Sequence, residues 1–165
     1  MRKTIAIAAG VAVLVLANYS IHSRERLLAE GRIALLELAP LDPRSLMQGD
    51  YMALRFRAEN DAFGGRRAKE GLADGRIVLQ LDARGVAKFR RLDDGAPLAA
   101  DELRMRYRVR GDQVKFATNA FFFQEGHAKT YERAKYGEFR VAADGECLLT
   151  GMRGESLERL GPPAR

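Results

Sequence analysis

Tryptophan is absent from this chain of 165 residues, cysteine occurs once, histidine twice, and lysine 6 times against 22 arginines. The single thiol, Cys147, excludes an internal disulfide and a multi-cysteine metal site. Its neighbours Leu148 and Leu149 place it in a strand, where a buried thiol is usually inert. Cytoplasm and a disulfide-poor periplasmic domain are both compatible with that usage. His22 and His127 stand without nearby Cys or acidic partners, so no metal is expected, and no motif asks for a cofactor. Zinc-finger spacing, an aromatic RNA-binding pattern and runs of consecutive basic residues are all missing, which argues against nucleic acid.

What is present describes a globular protein. Apolar residues make up 47% and charged residues 30%, with a net charge of +6. That is enough apolar material for one core in a chain of single-domain length. The arginine excess matters because a guanidinium binds carboxylate or phosphate as a planar fork.

One long apolar run opens the chain. After the basic cap Arg2-Lys3, no charge appears from Thr4 to Ile21, roughly 18 positions or ~27 Å of helix. That just spans a hydrocarbon core of ~30 Å. The strongest part, Ile5 to Ala17, also matches the apolar region of a signal peptide, and Val15-Leu16-Ala17 offers small residues at a peptidase spacing. Two features favour an uncleaved anchor. The helical pattern continues through Ile21, Leu27 and Leu28, opposite Arg24, Glu25, Arg26 and Glu30. Gly31 then supplies a C-cap. The basic cap holds the N-terminus in the cytoplasm and the remainder outside. The expected organisation is therefore an anchor and juxtamembrane helix over 1–31, a β-rich periplasmic domain over 32–160, and a disordered tail over 161–165.

From Arg32 the helix period gives way to strands. Ile33 to Leu38 reads as the first and leads to Pro40 and Pro43, which restrict the turn around Asp42. Ser45 to Gln48 reads as one helical turn ended by Gly49. Tyr51 to Arg57 alternates Met52, Leu54 and Phe56 against Tyr51, Ala53 and Arg55, a strand with one buried face. Glu59 to Asp74 reads as a long loop with a short helix near Arg67 to Leu72. Ile77 to Leu81 and Val86 to Leu92 form a hairpin across Asp82-Ala-Arg-Gly85. In Leu103 to Arg110, Leu103, Met105, Tyr107 and Val109 share one face and Arg104, Arg106, Arg108 and Arg110 the other. Four like charges in a row require carboxylates or solvent opposite them. Strands at Gln113 to Thr118, Gly137 to Ala142 and Glu146 to Met152, with a helix from Ala128 to Lys135, complete the chain. Asp144-Gly145 is a strong hairpin cue. The expected fold is mainly β: a membrane helix, then a twisted antiparallel sheet or small barrel-like domain with one or two short helices.

Three stretches carry chemistry. Pro40 to Phe56 contains Gly49-Asp50-Tyr51-x-x-Leu54-x-Phe56, which resembles the signature of the GDYXXLXY family with Phe in place of the last Tyr. Phe121-Phe122-Phe123-Gln124-Glu125-Gly126 and Ala134-Lys-Tyr136-Gly-Glu-Phe-Arg140-Val141 resemble the same family. The resemblance spans most of 33–152 and implies an N-terminal membrane helix, no established reaction, and a multi-pass inner-membrane partner. Under it, partner or ligand contacts fall to Asp42, Arg44, Gly49, Asp50, Tyr51, Phe122, Glu125, Tyr136 and Arg140. Two alternatives stand beside that accessory role. The face of Arg104, Arg106, Arg108 and Arg110 suits an anionic ligand such as a lipid headgroup or cell-wall fragment. Pro43 to Asp50 also resembles a stretch of membrane-anchored signal peptidases, which need a serine and a desolvated lysine. Here Asp42 stands where their serine lies, leaving only Ser45 with Lys69, Lys88 or Lys115.

Overall fold

The computed structural model describes residues 2–39, 47–48, 51–64, 72–111, 113–118 and 120–162. The apolar run forms α1 (Arg2–Glu30), a helix whose 18-residue windows reach a mean hydropathy of 2.0 with none of that surface buried. It is the one helix among the described residues long and apolar enough to cross a membrane. Gly31 follows it and donates its N–H to the Leu27 carbonyl at 3.0 Å. The glycine is required by space rather than by a positive φ. A Cβ there would lie 2.5 Å from the Leu27 oxygen and 3.2 Å from Arg140 Cβ.

The strands are β1 (Arg32–Glu37), β2 (Met47–Gln48), β3 (Tyr51–Ala53), β4 (Gly75–Leu81), β5 (Val86–Leu92) and β6 (Glu102–Arg110). They continue with β7 (Gln113–Lys115), β8 (Ala120–Phe122), β9 (Tyr136–Val141), β10 (Cys147–Arg153) and β11 (Arg159–Leu160). Two short helices, α2 (Arg57–Phe63) and α3 (Ala128–Tyr131), interrupt them. Among the described residues the strands build an eight-stranded sheet in the order β11-β10-β9-β1-β5-β4-β6-β7, and a three-stranded sheet β2-β3-β8.

The chain is mainly β, as the alternating patterns predict, but the sheet is mixed rather than wholly antiparallel. β1 runs parallel to β5, with Leu35 opposite Val86, and antiparallel to β9 along its full length. It sits in the middle of the sheet, which is why Ala34, Leu35 and Leu36 are all buried and the strand reads as a continuous apolar run. The sheet curls without closing into a barrel. The β9–β10 turn reaches across to β6, where the Arg106 N–H donates to the Gly145 carbonyl at 2.8 Å.

One core lies inside the curl. Phe56, Phe116, Phe139, Leu36, Ile77, Leu79, Met105 and Met152 are its largest wholly buried side chains. The β6 alternation is realised, with Leu103, Met105 and Tyr107 buried. Other expectations differ in extent. Met47–Gln48 pairs with Tyr51–Met52 as a strand instead of ending a helical turn. The helix expected near Arg67 to Leu72 lies almost wholly outside the described residues, which omit 65–71; a helix not expected from the sequence, α2, precedes it and is ended by Gly64 at φ 75. Phe63 at its end stacks edge-on against Tyr107 at 4.9 Å.

Candidate functional site

The signature stretch is first of all a piece of core. Hydrogen bonding as a strand stops at Ala53, yet the alternation persists: Met52, Leu54 and Phe56 are 2%, 3% and 1% exposed. Phe56 lies edge-on to Phe139 at 5.2 Å and to Phe116 at 6.3 Å. Its ring occupies the room left by Gly137, where a Cβ would stand 2.9 Å from Phe56 Cε1. A packing role explains why phenylalanine serves where the family signature has tyrosine. Asp42, Arg44, Gly49 and Asp50, together with Ser45 and Lys69 of the hydrolase alternative, lie outside the described residues. Lys88, the third candidate base, is exposed on β5, and Lys115 sits half-buried on β7.

Tyr51 is brought together with the phenylalanine run. β3 pairs with β8, setting Tyr51 opposite Phe122 with ring centroids 5.8 Å apart. The three phenylalanines divide their work. Phe121 and Phe123 pack on buried Tyr131 at 5.0 and 5.2 Å, while Phe122 remains 73% exposed. Beside it opens a groove of about 430 Å³, lined by Phe121, Phe122, Phe123, Tyr131, Leu149 and Leu160 with Gln124, His127 and Thr150. Glu125, a candidate for a buried acid or helix cap, is neither: it is exposed in the turn before α3, whose N-cap is His127.

The buried acid is Glu138, which the sequence reading passed over. It lies on the outer face of β9 by strand alternation, where a glutamate suggests solvent. The neighbouring β10 covers it through a bulge at Thr150. Arg153 Nε donates to Glu138 Oε2 at 2.6 Å, and Thr150 Oγ1 donates to Oε1 at 3.0 Å. Arg159 adds a second cation 3.8 Å away. Burial by itself would raise this carboxyl. The bonds from Arg153 and Thr150 and the two positive charges outweigh it and hold the carboxyl below its ordinary range. The one legible cue was a lone acid in the Tyr136-Gly-Glu-Phe-Arg140 strand with two arginines shortly downstream.

Tyr136 is half-buried at the start of β9. Arg140, at the other end of the strand, donates from Nη1 to the Gly31 carbonyl at 2.9 Å and so ties the end of α1 to the domain. Arg32 reinforces the joint with bonds to the carbonyls of Glu102 and Ala100 at 2.8 and 3.2 Å.

The arginine face of β6 is matched by carboxylates, as four adjacent like charges require. Arg104 donates from Nε to both oxygens of Asp93 at 3.1 Å and from Nη2 to the Ala96 carbonyl at 2.7 Å. Arg106 and Arg108 share Glu146, the latter at 3.5 Å, and Arg110 meets Asp74 at 3.1 Å. Bonds to the Val109 N–H and to Arg110 hold the Asp74 carboxyl low. Cys147 borders the same face, and burial pushes its thiol up to about 12, so it is no nucleophile at neutral pH. Among the described residues no group of three or more His, Cys, Asp or Glu is placed to hold a metal ion.

Comparison with curated proteins gives no match, and neither does comparison with solved structures. A family model described as GDYXXLXY protein matches residues 13–152, from the middle of α1 to the end of β10. With Leu54 and Phe56 of its signature in the core, Phe122 of its phenylalanine run at the surface and its third motif on β9, the chain belongs to the GDYXXLXY family.

Proposed function

We propose that this chain is a non-catalytic accessory protein, anchored in the bacterial inner membrane by α1, whose periplasmic domain docks a multi-pass membrane protein. The reading rests on Phe122. A phenylalanine held 73% exposed, on an edge strand and beside an apolar groove, costs solubility even with Tyr51 against one side of its ring. Its neighbours Phe121 and Phe123 are spent on packing, so the strand register aims one ring outward and two inward. An edge strand also offers unpaired backbone groups that an extended segment of a partner can join. The anchor confines the domain to the membrane surface, which raises the effective concentration of any membrane partner. Arg2 and Lys3 favour a cytoplasmic N-terminus by charge asymmetry.

A photo-crosslinking residue in place of Phe122, in the full-length chain in its native membranes, tests this. The expected product joins the chain to an integral membrane protein with several spanning helices. Phe122→Ser, melting as wild type does, is expected to abolish co-purification of that protein. Asp50→Ala and Arg44→Ala report whether the preceding turn shares the contact. Retention of the partner by the folded Phe122→Ser protein overturns the reading.

A further inference from the structure

Arg104 and Arg110 each have a carboxylate of their own, but the middle pair of the arginine face, Arg106 and Arg108, shares a single one. A small cavity of about 140 Å³ is lined by Arg24 of α1, Arg106 and Arg108 of β6, and Ala117, Glu146, Cys147 and Leu148. Three guanidinium groups face one carboxylate there. Glu146 takes one donor from Arg106 and one from Arg108, and a guanidinium carries five. Arg106 and Arg108 remain 40% and 50% exposed. Arg24 makes no ion pair among the described residues, in contrast to Arg26, which pairs with Glu30.

Position adds a second observation. Arg24 follows the last residue of the apolar run, Ile21, by three positions, or ~4.5 Å along the helix axis. The headgroup layer is ~5–7 Å deep on each side of the hydrocarbon core. Arg24 thus sits at the depth of lipid phosphates, and the curl of the sheet brings Arg106 and Arg108 to that same level. Planar guanidinium forks suit phosphate oxygens.

We propose that Arg24, Arg106 and Arg108 form a binding site for the phosphate of an anionic membrane lipid, with Glu146 holding the two strand arginines in place. The site seats the domain on the bilayer surface and sets its tilt about the Gly31 joint. This inference rests on α1 spanning the membrane.

Flotation of the full-length protein with neutral phosphatidylcholine vesicles isolates that premise: an anchored chain floats whatever the lipid charge. Native mass spectrometry of the full-length protein in detergent then compares phosphatidylglycerol, phosphatidylcholine and inorganic phosphate. One retained phosphatidylglycerol is expected, preferred over phosphatidylcholine roughly twenty-five-fold, from two net positive charges at about fivefold each. Arg24→Ala is expected to lower that preference about fivefold. It lies on an exposed helix surface, so the variant folds even where Arg106→Ala does not. Arg133→Ala, on an exposed turn away from the site, is expected to leave the preference unchanged. Retention of inorganic phosphate as strongly as the lipid assigns the site to a free anion and overturns the lipid source. Flotation with no lipid preference, or a preference that survives Arg24→Ala, overturns the site while leaving the anchor intact.

Discussion

Glu138 carries the most concentrated polar chemistry of the domain, and it does so for stability. Among the described residues it is the buried charged one, 3% exposed, and both its oxygens are engaged by Arg153 and Thr150. Removing one member of such a cluster leaves a partly buried guanidinium uncompensated. Arg153 keeps 26% of its side-chain exposure, so Glu138→Gln is expected to cost on the order of 2 kcal/mol at pH 7, below the full cost of breaking a buried pair. The pH dependence has a definite sign. The folded state keeps this carboxyl ionised further into acid than the unfolded chain does. Its contribution is therefore complete above about pH 4.3, the ordinary glutamate value, and is lost as pH falls through the lower folded value. Urea unfolding from pH 7 to pH 3 is expected to give a shallower acid decline for Glu138→Gln than for wild type. Equal slopes would remove Glu138 from the acid transition.

At the scale of elements, the signature strand and β9 are parts of one packing unit. Phe56 leaves the end of the signature and lands on β9, filling the space over Gly137 between Phe139 and Phe116. Gly137→Ala is expected to destabilise by about 1–3 kcal/mol through overpacking against a ring that has nowhere to go. Placing Gly137→Ala in a Phe56→Leu background is expected to recover part of that loss, since residues in contact couple. Additive effects in a urea double-mutant cycle would mean that the ring and the glycine do not meet. The same unit explains which elements sequence patterns missed. α2 is a polar helix of 7 residues whose inward face is only Ala58, Ala62 and Phe63, too little for a helical period to register. β11 has two residues and exists because Met152 offers Leu160 a pairing partner.

For the whole molecule, the apolar helix α1 and the domain are joined at Gly31, and the joint is built. Arg140 binds the Gly31 carbonyl and Arg32 binds the carbonyls of Glu102 and Ala100, which ties the end of α1 to β9 and to the start of β6. The exposed apolar surface of α1, with Ile5, Leu14 and Leu16 each more than half exposed, has no cover among the described residues. Arginine at the centre of a spanning helix costs about 2.5–3.5 kcal/mol per site on insertion scales. Leu14→Arg combined with Leu16→Arg is expected to shift the protein from the carbonate-resistant membrane fraction to the soluble one. Unchanged partitioning would mean that α1 does not hold the chain in the bilayer. The intact mass of the purified protein separates an anchor from a cleaved leader, which would remove residues through about Ala17.

Local chemistry, readable residue by residue, determined the apolar helix, the buried faces of β6 and of the Met52-Leu54-Phe56 stretch, the Asp144-Gly145 turn and the family. Each depends on periodicity or on a turn preference that acts over a few neighbours. Tertiary structure alone decided the rest, because the deciding contacts join positions far apart in the chain. The parallel pairing of β1 with β5 set Val86 beside Leu35 and made the sheet mixed. The bulge at Thr150 covered Glu138, turning an apparently solvent-facing acid into a buried one. Carboxylates from three separate turns, Asp74, Asp93 and Glu146, met the β6 arginines, and Arg106 and Arg108, beside Arg24, were left to share one of them. Charge balance across a folded surface depends on which distant residues meet, and a linear pattern does not record that.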